Sequence, residues 1–332
     1  MQTVKPNDHE LDSADVTRLD ASRGTRTARD SATGRLPQAG ARRLPTEGFL
    51  DQVVFRSEDM SGRAGMAAVA YSCTPQNADQ VLRHLDPLLR PTSRAGQGYS
   101  LVRCVLPDSN DVAVLSRIPT VDRMGRPSVF VHALIGSAQV LTAPTSVMLQ
   151  PGLPDWPGVS WDAAGGLPRL PIRDLQQRFS EEEPHYRAAI EHVRPLLEAA
   201  VAQLIRTPEN RLSFHAQELH AHAPVLIWAL STLLGPWLGD DAFTYVSGDG
   251  DEHLRLKLIF VPAWKVLMGE RSLSRVFSKR SPDQARSIAE DLVDRFILDE
   301  GNPARAHNVL ARCPNPRSRT LSERLDVLTR AL

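Results

Sequence analysis

The stretch that most constrains the fold of this chain is DRMGRPSVFVHALIG, which runs from Asp122 to Gly136. A polar turn precedes an apolar run, Val129 to Ile135, that only His132 interrupts. Alternate residues of such a run fall on opposite faces of a strand, and here both faces are apolar. The pattern predicts a central strand that is covered on both sides.

The turn before this strand holds the candidate site. Gly125 is free to adopt a positive φ, and Pro127 fixes the direction in which the chain leaves the turn. An arginine fork on such a loop can bind a phosphate or carboxylate, and a nearby aspartate can orient a histidine. The candidate anion-binding residues are Arg63, from another glycine turn, Asp122, Arg126 and His132.

A structural interpretation of the same residues stays open. An Asp–Arg pair beside a buried strand is often a structural ion pair, and a histidine between Phe130 and Leu134 is often a core residue. Perturbed ionic groups mark functional sites only in some proteins. The sequence assigns no catalytic residue to this group.

Strand and helix patterns alternate irregularly along the chain, which predicts an α+β fold with a mixed, largely antiparallel sheet. Thr74 followed by Pro75 predicts a helix start, and Ser180 with Glu183 predicts a capping box that begins a long helix to about Arg206. The patterns at 243–247 and 253–261 predict a hairpin.

The chain divides by composition into three parts. Residues 1–47 are polar and nearly free of aromatic residues, which predicts a disordered tail. Residues 48–262 form the predicted α+β core domain. Residues 263–332 show helical patterns alone, including a capping box at Thr320 and Glu323, and predict a helical C-terminal segment. Prolines and glycines are dense from Pro144 to Pro171, which predicts an irregular connection.

Composition limits the classes of partner. Lys+Arg and Asp+Glu number 39 each, so no global positive field favours nucleic acid. The three cysteines are far apart, which suits a reducing cytoplasm, and no secretory signal is visible. The most apolar segment, Ala223 to Leu238, is short and contains prolines, so a buried helix is predicted and a membrane span is not.

Motifs for catalysis and cofactors are missing from the sequence. It contains no P-loop, no GxSxG and no CxxC, and no cofactor is predicted. The run from His215 to His222 is rich in histidine, but its spacing is not HExxH and a predicted strand ends near His215. No metal site is therefore predicted there.

Three separated pieces together resemble the N-terminal region of the bacterial GTPase-associated protein one family: SGRAGMAAVAYS (Ser61 to Ser72), DRMGRPSVFVHAL (Asp122 to Leu134) and IWALSTLLGPWLGDDAFTYVSGDGDEHLRLKLIFVP (Ile227 to Pro262). The resemblance covers roughly Phe49 to Pro262 and departs from the family pattern at Ser128, where glycine is expected. The helical tail would correspond to the start of the family's middle region.

The resemblance implies a non-catalytic adaptor or scaffold in a bacterial conflict or signalling system that contains a GTPase. The expected partners are that GTPase or other subunits of the system, and a second copy of the chain through the C-terminal helices. The alternative is a small-anion or nucleotide sensor, or an enzyme, that uses the Arg/Asp/His group.

Overall fold

The computed structural model describes residues 48–60, 63–90, 99–107, 109, 111–121, 125, 127–149, 159, 162–219, 222–239, 242–264, 271–278 and 282–332. The predicted disordered tail, residues 1–47, lies outside the described residues. Most of the proline- and glycine-rich connection between residues 150 and 161 does so as well.

The fold is α+β, as predicted, and is built on one mixed sheet. Its strands are β1 (Phe49–Met60), β2 (Arg63–Tyr71), β3 (Ser100–Val105), β4 (Asp111–Val121), β5 (Pro127–Ser137), β6 (Gly165–Gly166), β7 (Leu170–Pro171), β8 (Arg211–His215), β9 (Tyr245–Val246), β10 (Leu258–Val261) and β11 (Leu273–Arg275).

The strand order is β11-β8-β10-β9-β3-β4-β5-β1-β2-β6, and β7 pairs with β1. From β3 to β2 every neighbouring pair is antiparallel, whereas β9, β10, β8 and β11 run parallel to one another. The two parts meet where β3 pairs with β9, at Val102 with Val246 and at Arg103 with Tyr245.

The predicted central strand is confirmed. β5 lies between β4 and β1 and pairs with both in antiparallel register. Leu134 joins the apolar cluster on one face of the sheet, and Val131 and Ala133 join the cluster on the other face. All three side chains are fully buried because helices cover both faces.

The helices are α1 (Pro75–Leu89), α2 (Ala143–Val147), α3 (Ile172–Arg206), α4 (Ala216–Leu219), α5 (Ala223–Leu238), α6 (Gln284–Leu298), α7 (Ala304–Leu310) and α8 (Leu321–Ala331). α1 packs on the face that holds Val131, and the hydroxyl of Thr74 accepts a hydrogen bond from the amide of Asn77, as the predicted cap requires. α3 and α5 cover the other face.

The predicted start of the long helix is wrong. α3 begins at Ile172, eight residues before Ser180, whose hydroxyl donates to the carbonyl of Gln176 within the helix. Ile172, Leu175 and Phe179 are buried in the core. This first part of the helix is therefore held by apolar packing, which outweighs the local capping signal at Ser180.

The predicted hairpin at 243–261 is also wrong, because β9 and β10 run parallel and the chain between them is a loop. Asp249 and Glu252 in this loop are buried and paired with arginines of distant strands, Arg117 and Arg275. β11 lies after Pro262, where helices alone were expected.

The C-terminal helices pack against the preceding helices. α6 packs along α3, and α7 packs on α5. Leu292 and Phe296 of α6 and Leu328 of α8 belong to the same apolar cluster as α3 and α5. The predicted capping box is confirmed, since Thr320 and Glu323 exchange side-chain to main-chain hydrogen bonds at the start of α8.

Candidate functional site

Arg63 and the strand ends that flank the glycine turn lie at the same end of the sheet, because Arg56 of β1 is opposite Phe130 of β5. The β4–β5 pairing ends at Val121 with Pro127, and Gly125 in the turn adopts a φ of 73°, as predicted. Arg63 opens β2 and pairs with Met60, at the tip of the β1–β2 hairpin. The side chains of Arg63, Asp122 and Arg126 lie outside the described residues.

His132 stands apart from the turn. It lies five residues along β5 from Pro127, which is about 17 Å in an extended strand. Its side chain is 1 % exposed, and its strand neighbours are Val54 on β1 and Ser116 on β4. The histidine is therefore in the middle of the sheet and not at its edge.

The hydrogen bonds of His132 fix its ring in the interior. Its Nε2 lies 3.0 Å from Oε1 of Gln52, and Nε2 of Gln52 donates to the carbonyl of Pro168 at 2.7 Å. Because Oε1 of Gln52 can only accept a hydrogen bond, Nε2 of His132 carries the proton and donates to it. Burial lowers the pKa of His132 to about 4, so the ring is neutral near pH 7.

Arg117 and Asp249 form a buried ion pair that the sequence interpretation missed. Their side chains are 2 % and 6 % exposed, and Nη2 of Arg117 donates to the Asp249 carboxylate. Nε of Arg117 donates to the hydroxyl of Ser100 at 2.8 Å, and Nη1 donates to the carbonyl of Leu88 at 3.1 Å. One guanidinium thus holds β3, the end of α1 and the β9–β10 loop together.

The charges of Arg117 and Asp249 stabilise each other inside the protein. Burial lowers the pKa of Arg117, and the neighbouring Asp249 carboxylate opposes that change. The only sequence signal was an arginine inside an apolar strand, and nothing in the sequence linked it to an aspartate 132 residues away.

A second ion pair holds the other end of the same loop. Both guanidinium nitrogens that face Glu252 donate to it, Nε of Arg275 at 2.9 Å and Nη2 at 2.6 Å. The guanidinium carbon lies 5.6 Å from the ring centroid of Trp264, and the indole nitrogen of Trp264 donates to Ser213. Phe277 packs on the same indole and is 40 % exposed.

Lys257 is a buried cation whose hydrogen bonds are to the main chain. Its Nζ donates to the carbonyls of Pro208 and Asn210, both at 2.6 Å. Burial and the charge of Arg317 lower the pKa of Lys257 and Glu209 opposes them, with a net pKa of about 7. The side chain ties β10 to the turn after α3.

The histidine-rich run does not form one helical face. His215 ends β8 and packs edge-on to Trp264, whereas His222 stacks on His192 of α3 with ring centroids 4.9 Å apart. Among the described residues no three His, Cys, Asp or Glu side chains are grouped to hold a metal ion.

Comparisons with protein-family models, with curated proteins and with solved structures find no match to this chain. None of the described helices has the length and apolarity that a bilayer crossing requires.

Proposed function

We propose that the protein is a non-catalytic adaptor of a bacterial GTPase-linked conflict or signalling complex and works in the cytoplasm. The three pieces that resemble the GTPase-associated family support this proposal. They correspond to β2, to the β4–β5 turn with most of β5, and to the segment from α5 to β10. The three cysteines, which are all unpaired, fit a reducing compartment.

The burial of His132 is the observation that favours an adaptor over a sensor or enzyme. A general base or an anion ligand must come within hydrogen-bonding distance of its substrate. His132 is 1 % exposed, is bonded to Gln52, and lies about 17 Å along the strand from Pro127. A ligand bound at the turn would not contact this ring.

The charged side chains that join loops to strands support the same proposal. Arg117, Arg275 and Lys257 each direct their donors at groups of the protein itself, and they fasten loops and strands together. Such contacts rigidify a scaffold, and a rigid scaffold loses less conformational entropy when it binds a partner protein.

The test is to identify the genes that lie beside this one, co-express the chain with any GTPase that they encode, and measure the mass of the purified complex by light scattering. We expect a complex heavier than the 36.6 kDa chain, with a dependence on GDP or GTP, and none with an unrelated GTPase. Absence of a complex in both nucleotide states would contradict the adaptor proposal.

A parallel titration with inorganic phosphate and with GTP addresses the alternative. An adaptor should give no binding heat with either ligand in calorimetry. Heat that disappears in the Arg126→Ala variant, with His132→Gln as a matched control in the core, would favour the sensor.

A further inference from the structure

The outer side of β2 is an open sheet edge along most of its length. On its inner side β2 pairs with β1 from Arg63 to Tyr71. On its outer side β6 pairs only with Ala70 and Tyr71. No strand in the described part of the chain pairs with the outer side of residues 63–69.

The phase of the β1–β2 ladder shows which main-chain groups point outward. The carbonyl of Gln52 accepts from the amide of Ser72, so Gln52 directs its main chain toward β2. Alternation along β1 gives the same direction to Arg56, which is opposite Ala67. Ala67 therefore directs its main chain inward, and its neighbours Met66 and Ala68 direct theirs outward.

Ala64 directs its main chain outward by the same alternation. The free edge thus presents the N–H and C=O groups of Ala64, Met66 and Ala68. The β1–β2 register shifts between Val54 and Phe55, but β1 pairs with β5 without a shift from Asp51 to Arg56. The alternation of main-chain directions along β1 therefore continues to Arg56.

Among the described residues, this edge is interrupted by a register irregularity at Val69, which is one of the features that keep sheet edges apart, but the segment before it carries no other. From Ala64 to Ala70 the sequence is AGMAAVA, with no charged residue and no proline. Natural edges are protected by lysine, proline, short length or a covering element. The opposite edge of the sheet, β11, has only three residues.

We propose that the outer edge of β2 pairs with β2 of a second copy of this chain, antiparallel, about a two-fold axis at Met66. In that register Met66 is opposite Met66, and Ala64 is opposite Ala68. Three such pairs exchange about six main-chain hydrogen bonds. No like charges meet across the axis between Ala64 and Ala68, so the strand is complementary to itself.

The side chains of this edge do not exclude an identical strand. Gly65, Ala67 and Ala68 are too small to form pockets that select bulky side chains, so recognition is by the main chain. An uncharged strand of the same length, such as β2 of a second copy, can pair through its main chain in this way. This inference does not depend on the GTPase link.

The test is sedimentation equilibrium of the full chain between about 1 and 300 µM, a range in which weak dimers dissociate. We expect the average mass to rise from 36.6 kDa toward twice that value. Ala68→Pro removes an outward amide with which no described strand pairs, and Met66→Lys places two like charges at the axis. Each should weaken the dimer at least tenfold.

Leu298→Ser is the matched control, because Leu298 at the end of α6 is 77 % exposed and far along the chain from β2. It should leave the dimer unchanged. Circular dichroism of each variant checks that the fold is kept, and Met66→Lys, which alters no backbone torsion, decides the matter if Ala68→Pro unfolds.

Hydrogen exchange gives an independent measurement. The amides of Met66 and Ala68 should exchange fast in dilute protein and slowly at high concentration. A strict monomer, a dimer that persists in Met66→Lys, or a dimer lost in Leu298→Ser would each overturn the proposal. Slow exchange of both amides already in the monomer would overturn it as well, because another part of the chain would then occupy the edge.

Discussion

Replacing His132 should change how the stability of the protein depends on pH. The unfolded chain binds a proton on this imidazole near pH 6.5, whereas burial holds the pKa in the folded protein at about 4. Between these values the unfolded state carries more protons, so stability falls as the pH is lowered. The difference between a pKa of 6.5 and one of about 4 corresponds to about 3 kcal/mol at 1.36 kcal/mol per unit.

The assay is urea unfolding of the wild-type protein and of His132→Gln at intervals from pH 7.5 to 4. Glutamine has no titrating group, so the difference in unfolding free energy between the two proteins isolates the histidine. That difference should be constant above pH 6.5. Below it, the wild type should lose about 3 kcal/mol relative to the variant by pH 4.

A difference that stays flat across this range would refute the argument. It would mean that His132 titrates in the folded protein as it does in water and that the ring is accessible. The proton NMR signal of the imidazole supplies the same test directly, since its shift should not change between pH 7 and 5.

Three further perturbations test the packing. Asp249→Ala should cost about 3–5 kcal/mol in urea unfolding, because it leaves the Arg117 charge buried and unpaired, and Arg117→Met combined with Asp249→Leu should recover most of that loss. Gly136→Ala places a Cβ 2.2 Å from Cδ2 of the buried Leu50 and should cost about 1–3 kcal/mol, so an unchanged thermal midpoint would contradict the close contact. Thr320→Ala removes the cap of α8 and should cost about 1 kcal/mol, whereas Thr320→Asp should retain most of the stability.

The sequence predicted correctly those strands and helix starts that are determined by residues close together in the chain. The doubly apolar run around Val131 gave the central strand, and Thr74 and Thr320 marked helix starts that the structure confirms. In each case the physical cause lies within a few residues: alternation of side chains in one strand, or a hydroxyl that reaches the amide three residues on.

The errors arose where distant residues decide the structure. The segment from Phe243 to Val261 has the composition of a hairpin, yet Asp249 and Glu252 in its loop are buried and paired with Arg117 on β4 and Arg275 on β11. Local sequence patterns do not show those partners, so a hairpin was predicted where the loop carries buried charges. The start of α3 was misplaced for the same reason, because packing and not a cap sets it.

The junction between β3 and β9 has a consequence for how the protein opens. β3 pairs with β4 along its whole length but with β9 at only two positions, and β9 pairs with β10 at only two as well, so the connection from the antiparallel to the parallel strands through β9 is narrow. Arg103 reinforces it by donating to the carbonyls of Leu141 and Phe243 on its two sides. Under mechanical load or partial denaturation we expect the two-residue ladders beside β9 to open before the longer β3–β4 ladder, and the hydrogen bonds of Arg103 to resist that opening on the β3 side.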